Sequence, residues 1–209
     1  MSCASAQACE LALVLAVDVS GSVNPHEYQV QMKGLGAALA DGAVSEALVV
    51  AQAKVMLIQW TGSSRQIVSV PWTQVTDFDA ADALAARVGG ATREWRSFST
   101  AIGEAVGFSL QQFVQVPECG RRVIDVSGDG VSNEGVPPQE LKASALRDGV
   151  TINGLAIEAS DTGLVEYYRR FLISGPGSFA MQASNFEEYP DRIRQKLLRE
   201  ITKQVALVK

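Results

Sequence analysis

The chain has 209 residues, a formal net charge of −5, 47% hydrophobic residues and 20% charged residues. Cores usually stay single up to roughly 250 residues, so this is the profile of one folded domain. The mild acidity and the lack of a basic stripe exclude the usual nucleic-acid binder, and no apolar run approaches the ~20 residues that span a bilayer.

The first ten residues, MSCASAQACE, are small and weakly polar. Ala6-Gln7-Ala8 fits the small-x-small pattern of a signal-peptidase site, while the positive and apolar regions of a signal peptide are missing. Residues 1–8 read as the tail of an export signal or as a plain irregular start, and residues 9–209 as one domain. ELALVLAVD is an uninterrupted apolar run closing on Asp18, as expected of a parallel strand buried on both faces. Helical spacing follows in HEYQVQMKGLGAALADGAV, with Tyr28, Met32, Leu35 and Leu39 on one side. AKVMLIQWTG and RQIVSVPW read as strands joined in a hairpin through Gly62-Ser63-Ser64. DFDAADALAARV is a short helix with Asp77 or Asp79 as N-cap, and TAIGEAVGFSLQQFV is another helix. RRVIDVS is the fourth strand and stops at Gly128-Asp129-Gly130. Residues 138–148 are helical up to Gly149, a natural stop. VTINGLAIE is the fifth strand, DTGLVEYYRRFLI a helix and GSFAMQA a short sixth strand. The last helix, FEEYPDRIRQKLLREITKQVALV, carries an apolar stripe at 186, 189, 193, 197, 201 and 205 to pack on the sheet. Its basic stretch, Arg192 to Arg199, has acidic neighbours.

Strands alternating with helices predict an α/β domain with a doubly wound, mostly parallel six-stranded sheet. The expected strand order is 3-2-1-4-5-6, with the third strand antiparallel and helices on both faces. Such sheets bind ligands outside the carboxyl ends of their strands, where the strand order reverses. Asp18 ends strand one and Asp129 ends strand four, so the two carboxylates converge at that point. Like charges this close repel, and a shared cation is the simplest resolution. Asp18, Ser20, Ser22 and Asp129 offer only oxygen, and Thr100 adds one more. Such a donor set suits Mg²⁺, with Mn²⁺ or Ca²⁺ as alternatives. Zinc would want His or Cys, and His26 is the single histidine. Alternate positions 18, 20 and 22 can face one point, with Gly21 relieving the turn. The same pattern also reads as an Asp closing a strand and a Ser-Gly-Ser loop capping a helix.

DVSGS, the helix-opening Thr100 in STAIGEAV, and SGDG together resemble the von Willebrand factor type A domain and its metal-ion-dependent adhesion site. The similarity runs from Glu10 to the C-terminal helix and is nearest to a group of secreted bacterial members, through LALVLAVDVSGSV, PWT, TAIGEAV, RRVIDVSGDG and VTINGLAIE. The resemblance implies that Ser20 and Ser22 bind the metal directly, Thr100 directly or through water, and Asp18 and Asp129 through water. It also implies that a Glu or Asp of a partner protein completes the coordination, which makes the domain a recognition module and not an enzyme. One departure is Phe98-Ser99 where the family commonly has Gly-Gly before the Thr.

The rival reading is a haloacid-dehalogenase-type phosphotransferase, which also places an Asp after strand one. It wants a second Asp two residues later, where this chain has Ser20. A chelatase or ATPase subunit and a carbohydrate-binding module are further readings. A serine hydrolase lacks its G-x-S-x-G elbow. Trp95, Phe98, Asn133 and Glu134 are candidates for a partner-binding rim, with ordinary loop packing or helix-start contacts as the alternative. Glu158 ends strand five and is a further candidate to reach the site. Trp60 and Trp72 read as packing, and His26 as an exposed residue of a first helical turn after Pro25.

Cys9 lies nine residues before Asp18 and Cys119 ten before Asp129. If strands one and four are parallel neighbours, both cysteines fall at the edge opposite the metal, within bridging range. A Cys9–Cys119 disulfide is expected, with two reduced buried thiols as the alternative. It would place the protein in an oxidising compartment, periplasmic or secreted.

Overall fold

The computed structural model describes residues 9–159 and 162–202. The expected export remnant 1–8, with Cys3, and position 205 of the last apolar stripe lie outside them. The strands are β1 (Leu11–Asp18), β2 (Lys54–Trp60), β3 (Gln66–Gln74), β4 (Arg121–Gly128), β5 (Val150–Ile157) and β6 (Ala180–Ala183). The helices are α1 (Pro25–Leu39), α2 (Gly42–Val50), α3 (Phe78–Gly89), α4 (Ile102–Gln112), α5 (Lys142–Arg147), α6 (Leu164–Tyr167) and α7 (Tyr189–Thr202). The sheet order is β3-β2-β1-β4-β5-β6. Among these six strands the β2–β3 hairpin is antiparallel and the other pairings are parallel. This is the expected doubly wound α/β architecture.

The apolar run of β1 is explained by its central place, since all of its residues are buried. The side chains alternate between two cores. Leu11, Leu13, Leu15 and Val17 pack under α1, α2, α3 and α7. Ala12, Val14 and Ala16 face the opposite layer, built largely from α4, α5 and the α6 region. The sheet thus buries apolar area on both faces, at about 25 cal/mol per Å².

Several helix boundaries differ from the expected ones. The single helix read through Val44 is two. Asp41 breaks it by accepting from the Ala43 and Val44 N–H groups as the N-cap of α2, a local competition that favours a cap over continuation. Asp77 caps α3, accepting from Ala80 N–H. Residues 138–141 form a 3₁₀ turn ahead of α5, and Gly149 adopts φ +66° just beyond it, a left-handed stop. A π-turn, Tyr168–Leu172, extends α6. Thr100 precedes α4 instead of capping it, because Ala101 holds the N-cap position without a side-chain bond.

Leu11 of β1 pairs with Arg121 of β4. That register carries Cys9 and Cys119 to the same edge, where they form a disulfide with Cα atoms 4.6 Å apart and a sequence separation of 110. Closing a loop of this length restricts the unfolded chain by about 4–5 kcal/mol in the chain-entropy description. The β1–β4 pair is therefore pinned at one end covalently, and its other end carries the site.

Candidate metal centre

The sheet reverses its strand order between β1 and β4, and Asp18 and Asp129 stand at the carboxyl ends of those two strands. Both are buried, as are Ser20 and Thr100, while Ser22 is exposed. The chain turns after Asp18 because its Oδ1 accepts from the Ser20 N–H at 2.7 Å. Ser20 Oγ lies 3.2 Å from Ser22 Oγ, and Ser22 Oγ donates to Asp129 Oδ1 at 2.7 Å. Asp18, Ser20, Ser22 and Asp129 thus form one contiguous oxygen-lined cluster. Gly21 lies close under the neighbouring loop, donating its N–H to Phe98 O at 2.8 Å; a Cβ there would sit 3.4 Å from that oxygen.

Thr100 stands on the loop before α4. Asn133 holds it twice, accepting from Thr100 N–H through Oδ1 at 3.0 Å and donating its own N–H to Thr100 O at 2.9 Å. Gly130, next to Asp129, faces the Thr100 hydroxyl: a Cβ on it would lie 3.7 Å from Oγ1.

The electrostatics are unbalanced. Asp18 Oδ2 is buried and has no hydrogen-bond partner. The Asp18 carboxyl is pushed up to about 7, by burial first and by the charge of Asp129 second, with Ser20 and Arg93 pulling the other way. Gly128 lets Asp18 Oδ2 approach the backbone of β4 closely. A Cβ there would come within 2.8 Å of Asp18 Oδ2 and 3.0 Å of the Tyr168 hydroxyl, itself buried without a hydrogen-bond partner. Among the described residues no group of three or more His, Cys, Asp or Glu side chains is placed to hold a metal. The cluster's donors are instead hydroxyls with two carboxylates, a hard-oxygen set that fits Mg²⁺-like cations.

Arg93 is the site residue that sequence reasoning missed. It lies 75 positions from Asp18 in an irregular loop, yet its Nη2 donates to Val19 O at 3.0 Å and to Ser20 O at 2.8 Å. The only signal for it was the demand for positive charge near two acids. The four rim candidates fall in different roles. Asn133 clasps Thr100 as described. Glu134 accepts from the Ser63 and Ser99 hydroxyls, and those bonds hold its carboxyl below the usual range, Ser63 first. The Phe98 ring lies under the Arg65 guanidinium, 3.7 Å from its centroid. Trp95 packs half-buried against the α1–α3 core. Glu158 is not brought to the site: it accepts from Val165 N–H and Gln182 Nε2. Trp60 is wholly buried, Trp72 packs on Phe113, and His26 is exposed.

Residues 8–205 match the model of a family described as protein of unknown function (DUF1194). The chain belongs to the DUF1194 family. No curated protein matches the sequence. Solved structures place this DUF1194 chain in the von Willebrand factor type A fold. The proximal thread matrix protein 1 from the mussel byssus, with a zinc-occupied MIDAS motif, superposes with a TM-score of 0.69 at 15% identity, over 92% of this chain and 46% of that one. A von Willebrand factor type A protein from Catenulispora acidiphila gives 0.63 at 17% identity, over 92% and 43%. An aerotolerance-related membrane protein from Bacteroides fragilis gives 0.60 at 19% identity, over 93% and 100%. The DUF1194 chain thus spans less than half the length of the first two.

Proposed function

We propose that this DUF1194 domain is a divalent-cation-dependent recognition module for an acidic group of a partner protein. The observation that carries the reading is the pair Asp18 and Asp129, buried at the switch point with Asp18 Oδ2 left unpartnered. A wholly buried carboxylate beside a second acid is costly, and a cation from solution offsets the cost. Ser20, Ser22 and Thr100 would hold that cation, with Asp18 and Asp129 supplying negative charge behind them. Neutral hydroxyl donors leave a bound cation electrophilic, and an anionic oxygen from a partner suits its remaining coordination. Mg²⁺ is the expected ion. The zinc reported in the mussel protein's site supports the same position for divalent metals in this fold.

Burial also argues for binding over phosphotransfer. A nucleophilic aspartate must meet its substrate, but Asp18 is 0% exposed and one of its oxygens is taken by the Ser20 N–H. The Cys9–Cys119 disulfide supports work in an oxidising compartment, outside the cytoplasm. No helix of the described residues is long and apolar enough to cross a membrane.

Thermal unfolding of metal-stripped protein, repeated with Mg²⁺, Mn²⁺ and Ca²⁺, tests the reading. A ligand at ~100 times its dissociation constant adds about 2.7 kcal/mol. The expected result is a metal-dependent rise that Asp129→Ala abolishes. No response to any of the three ions at millimolar concentration would end the metal reading.

A further inference from the structure

Beside the metal cluster, between the start of α1 and the loop after α3, lies a cavity of about 280 Å³ lined by Tyr28, Gln29, Thr92, Arg93 and Arg96 among others. Its charge is set by the two arginines. Arg96 is exposed and Arg93 half-buried. Neither guanidinium has an ion-pair partner within 4 Å among the described residues. Of the nearby carboxylates, Asp18 and Asp129 attract Arg93 from the metal cluster. Glu27 is occupied by the Asn24 N–H in the helix cap, and Glu94 is exposed.

Arg93 is held in place. Gln59 of β2, wholly buried, donates through Nε2 to Thr92 O at 2.8 Å and accepts through Oε1 from Glu94 N–H at 3.2 Å. One buried amide therefore brackets Arg93 on both sides. From α1, Tyr28 donates its hydroxyl to Ala91 O at 2.8 Å, and the Arg93 guanidinium lies 5.6 Å from the Tyr28 ring centroid. Nη2 is committed to Val19 O and Ser20 O, whereas Nε is buried without a partner. Two like charges kept unpaired at an open cavity, one of them rigidly positioned with an orphaned donor, describe an anion site. Arg93 also touches the backbone of Ser20, so this cavity adjoins the metal cluster.

We propose that the Arg93–Arg96 cavity is a second acid-binding subsite, so that the partner presents two carboxylates on one short segment, one toward the metal cluster and one toward the arginines. This rests on the metal-dependent recognition proposed above and narrows its partner to a diacidic peptide segment. Once a cation offsets Asp18 and Asp129, the remaining positive charge of Arg93 and Arg96 acts on the ligand.

The test uses short capped peptides with two glutamates separated by none to four glycines, and counterparts in which either glutamate is glutamine. Affinities are measured at saturating Mg²⁺, and the Arg93 Nε–Hε resonance is followed by NMR. The expected result is one spacing that binds about tenfold tighter than both of its single-acid counterparts, with a shift of the Arg93 Nε–Hε signal. Arg93→Gln, and separately Arg96→Gln, should reduce that preference to less than about twofold. The exposed Arg96 keeps the test informative if Arg93→Gln disturbs the fold. Mg²⁺ binding with no preference for any diacid, or a preference that survives both substitutions, overturns the subsite and leaves the metal reading standing. If no Mg²⁺ binds, the metal reading falls, and the metal-free peptide titration decides the subsite. A diacid-induced Arg93 Nε–Hε shift that Arg96→Gln weakens keeps it, and no shift ends it.

Discussion

Asp18 and Asp125 stand on adjacent strands of one sheet, both buried, each beside a second buried acid. Asp125 and Glu200 enclose Lys196, which is 0% exposed and ion-paired to both. Asn153 donates to Glu200 Oε1 at 2.9 Å and accepts from Phe179 N–H at 3.0 Å, while Arg121 bonds the Glu200 and Ile201 carbonyls at the end of α7. That cluster ties α7 to β4 and β5. Asp18 and Asp129 have no lysine between them, and Arg93 spends its Nη2 on backbone oxygens. The same chain thus closes one acid pair with a lysine held between its members and keeps the other open, with Arg93 acting on it from its backbone contacts. The difference separates a structural charge cluster from a ligand site more sharply than acidity does, since both contain two carboxylates.

The largest effect should come from opening the closed cluster. Lys196→Met leaves Asp125 and Glu200 buried without their shared cation, and should lower stability by about 3–5 kcal/mol in denaturant titration. Adding Asp125→Asn and Glu200→Gln to it should restore much of the loss. If Lys196→Met alone is neutral, the cluster is not closed in the sense argued. Asp18→Asn makes the opposite change in the open pair. It removes a buried charge that burial and Asp129 disfavour, so the metal-free protein should be no less stable than the parent. It should also forfeit the metal-dependent gain of about 2.7 kcal/mol expected at 100 times the dissociation constant. A metal response surviving in Asp18→Asn would make the two clusters alike.

The open pair was legible in the sequence because it sits at boundaries. Asp18 interrupts an apolar run, Asp129 follows a strand end between glycines, and alternate hydroxyls at 20 and 22 mark a turn that aims them one way. Strand order and the Cys9–Cys119 bridge followed from the same boundaries. The closed cluster was hidden inside elements. Asp125 lies mid-strand in RRVIDVS and Asn153 mid-strand in VTINGLAIE, where a polar residue among apolar ones was itself the available signal. Lys196 was read with the basic stretch Arg192 to Arg199, although it stands three residues after Ile193 and four before Glu200, on the buried side of α7. Arg93 left no periodic trace, because an irregular loop carries no pattern that says where a side chain points. The split between α1 and α2 was missed for a related reason: Asp41 acts through a cap that hydropathy does not register.

Acidity should divide the two clusters by their response to metal. Burial, and then Asp129, raises the Asp18 carboxyl from an ordinary 3.8 to about 7 in the metal-free fold. Burial, and then Asp125, also raises Glu200 above its ordinary 4.5. A carboxyl raised on folding binds its proton more tightly in the native state than in the unfolded chain. Its ionisation therefore costs stability, and the cost grows as pH rises from about 4 to about 7. Each group contributes a slope of at most about 1.4 kcal/mol per pH unit. Saturating Mg²⁺ should cancel the Asp18 share and leave the Glu200 share. Urea titrations between pH 4 and 7.5, with and without Mg²⁺, should give a shallower decline with the ion. Superimposable declines would show that the upper pair does not titrate against a cation.

The smallest expected change in stability tests whether the loops of the open pair are tuned for an ion or merely packed. Asn133→Ala removes the Oδ1 acceptor of the Thr100 N–H and should cost about 1 kcal/mol, the ordinary worth of one such bond. Thr100 would then be held to this loop by the Asn133 N–H and, more weakly, by Ser132 Oγ at 3.4 Å. Outer partners that orient ligands typically govern about 10–100-fold in metal affinity, so the variant should bind Mg²⁺ far more weakly than its small loss of stability suggests. Asn153→Ala provides the contrast, because its amide serves only the closed cluster, bonding Glu200 and Phe179. It should lower stability while leaving Mg²⁺ affinity as it was. Calorimetric titration of both variants separates the cases. Equal, minor losses of affinity would mean that Asn133 only packs a loop, and that Thr100 is not a ligand whose position matters.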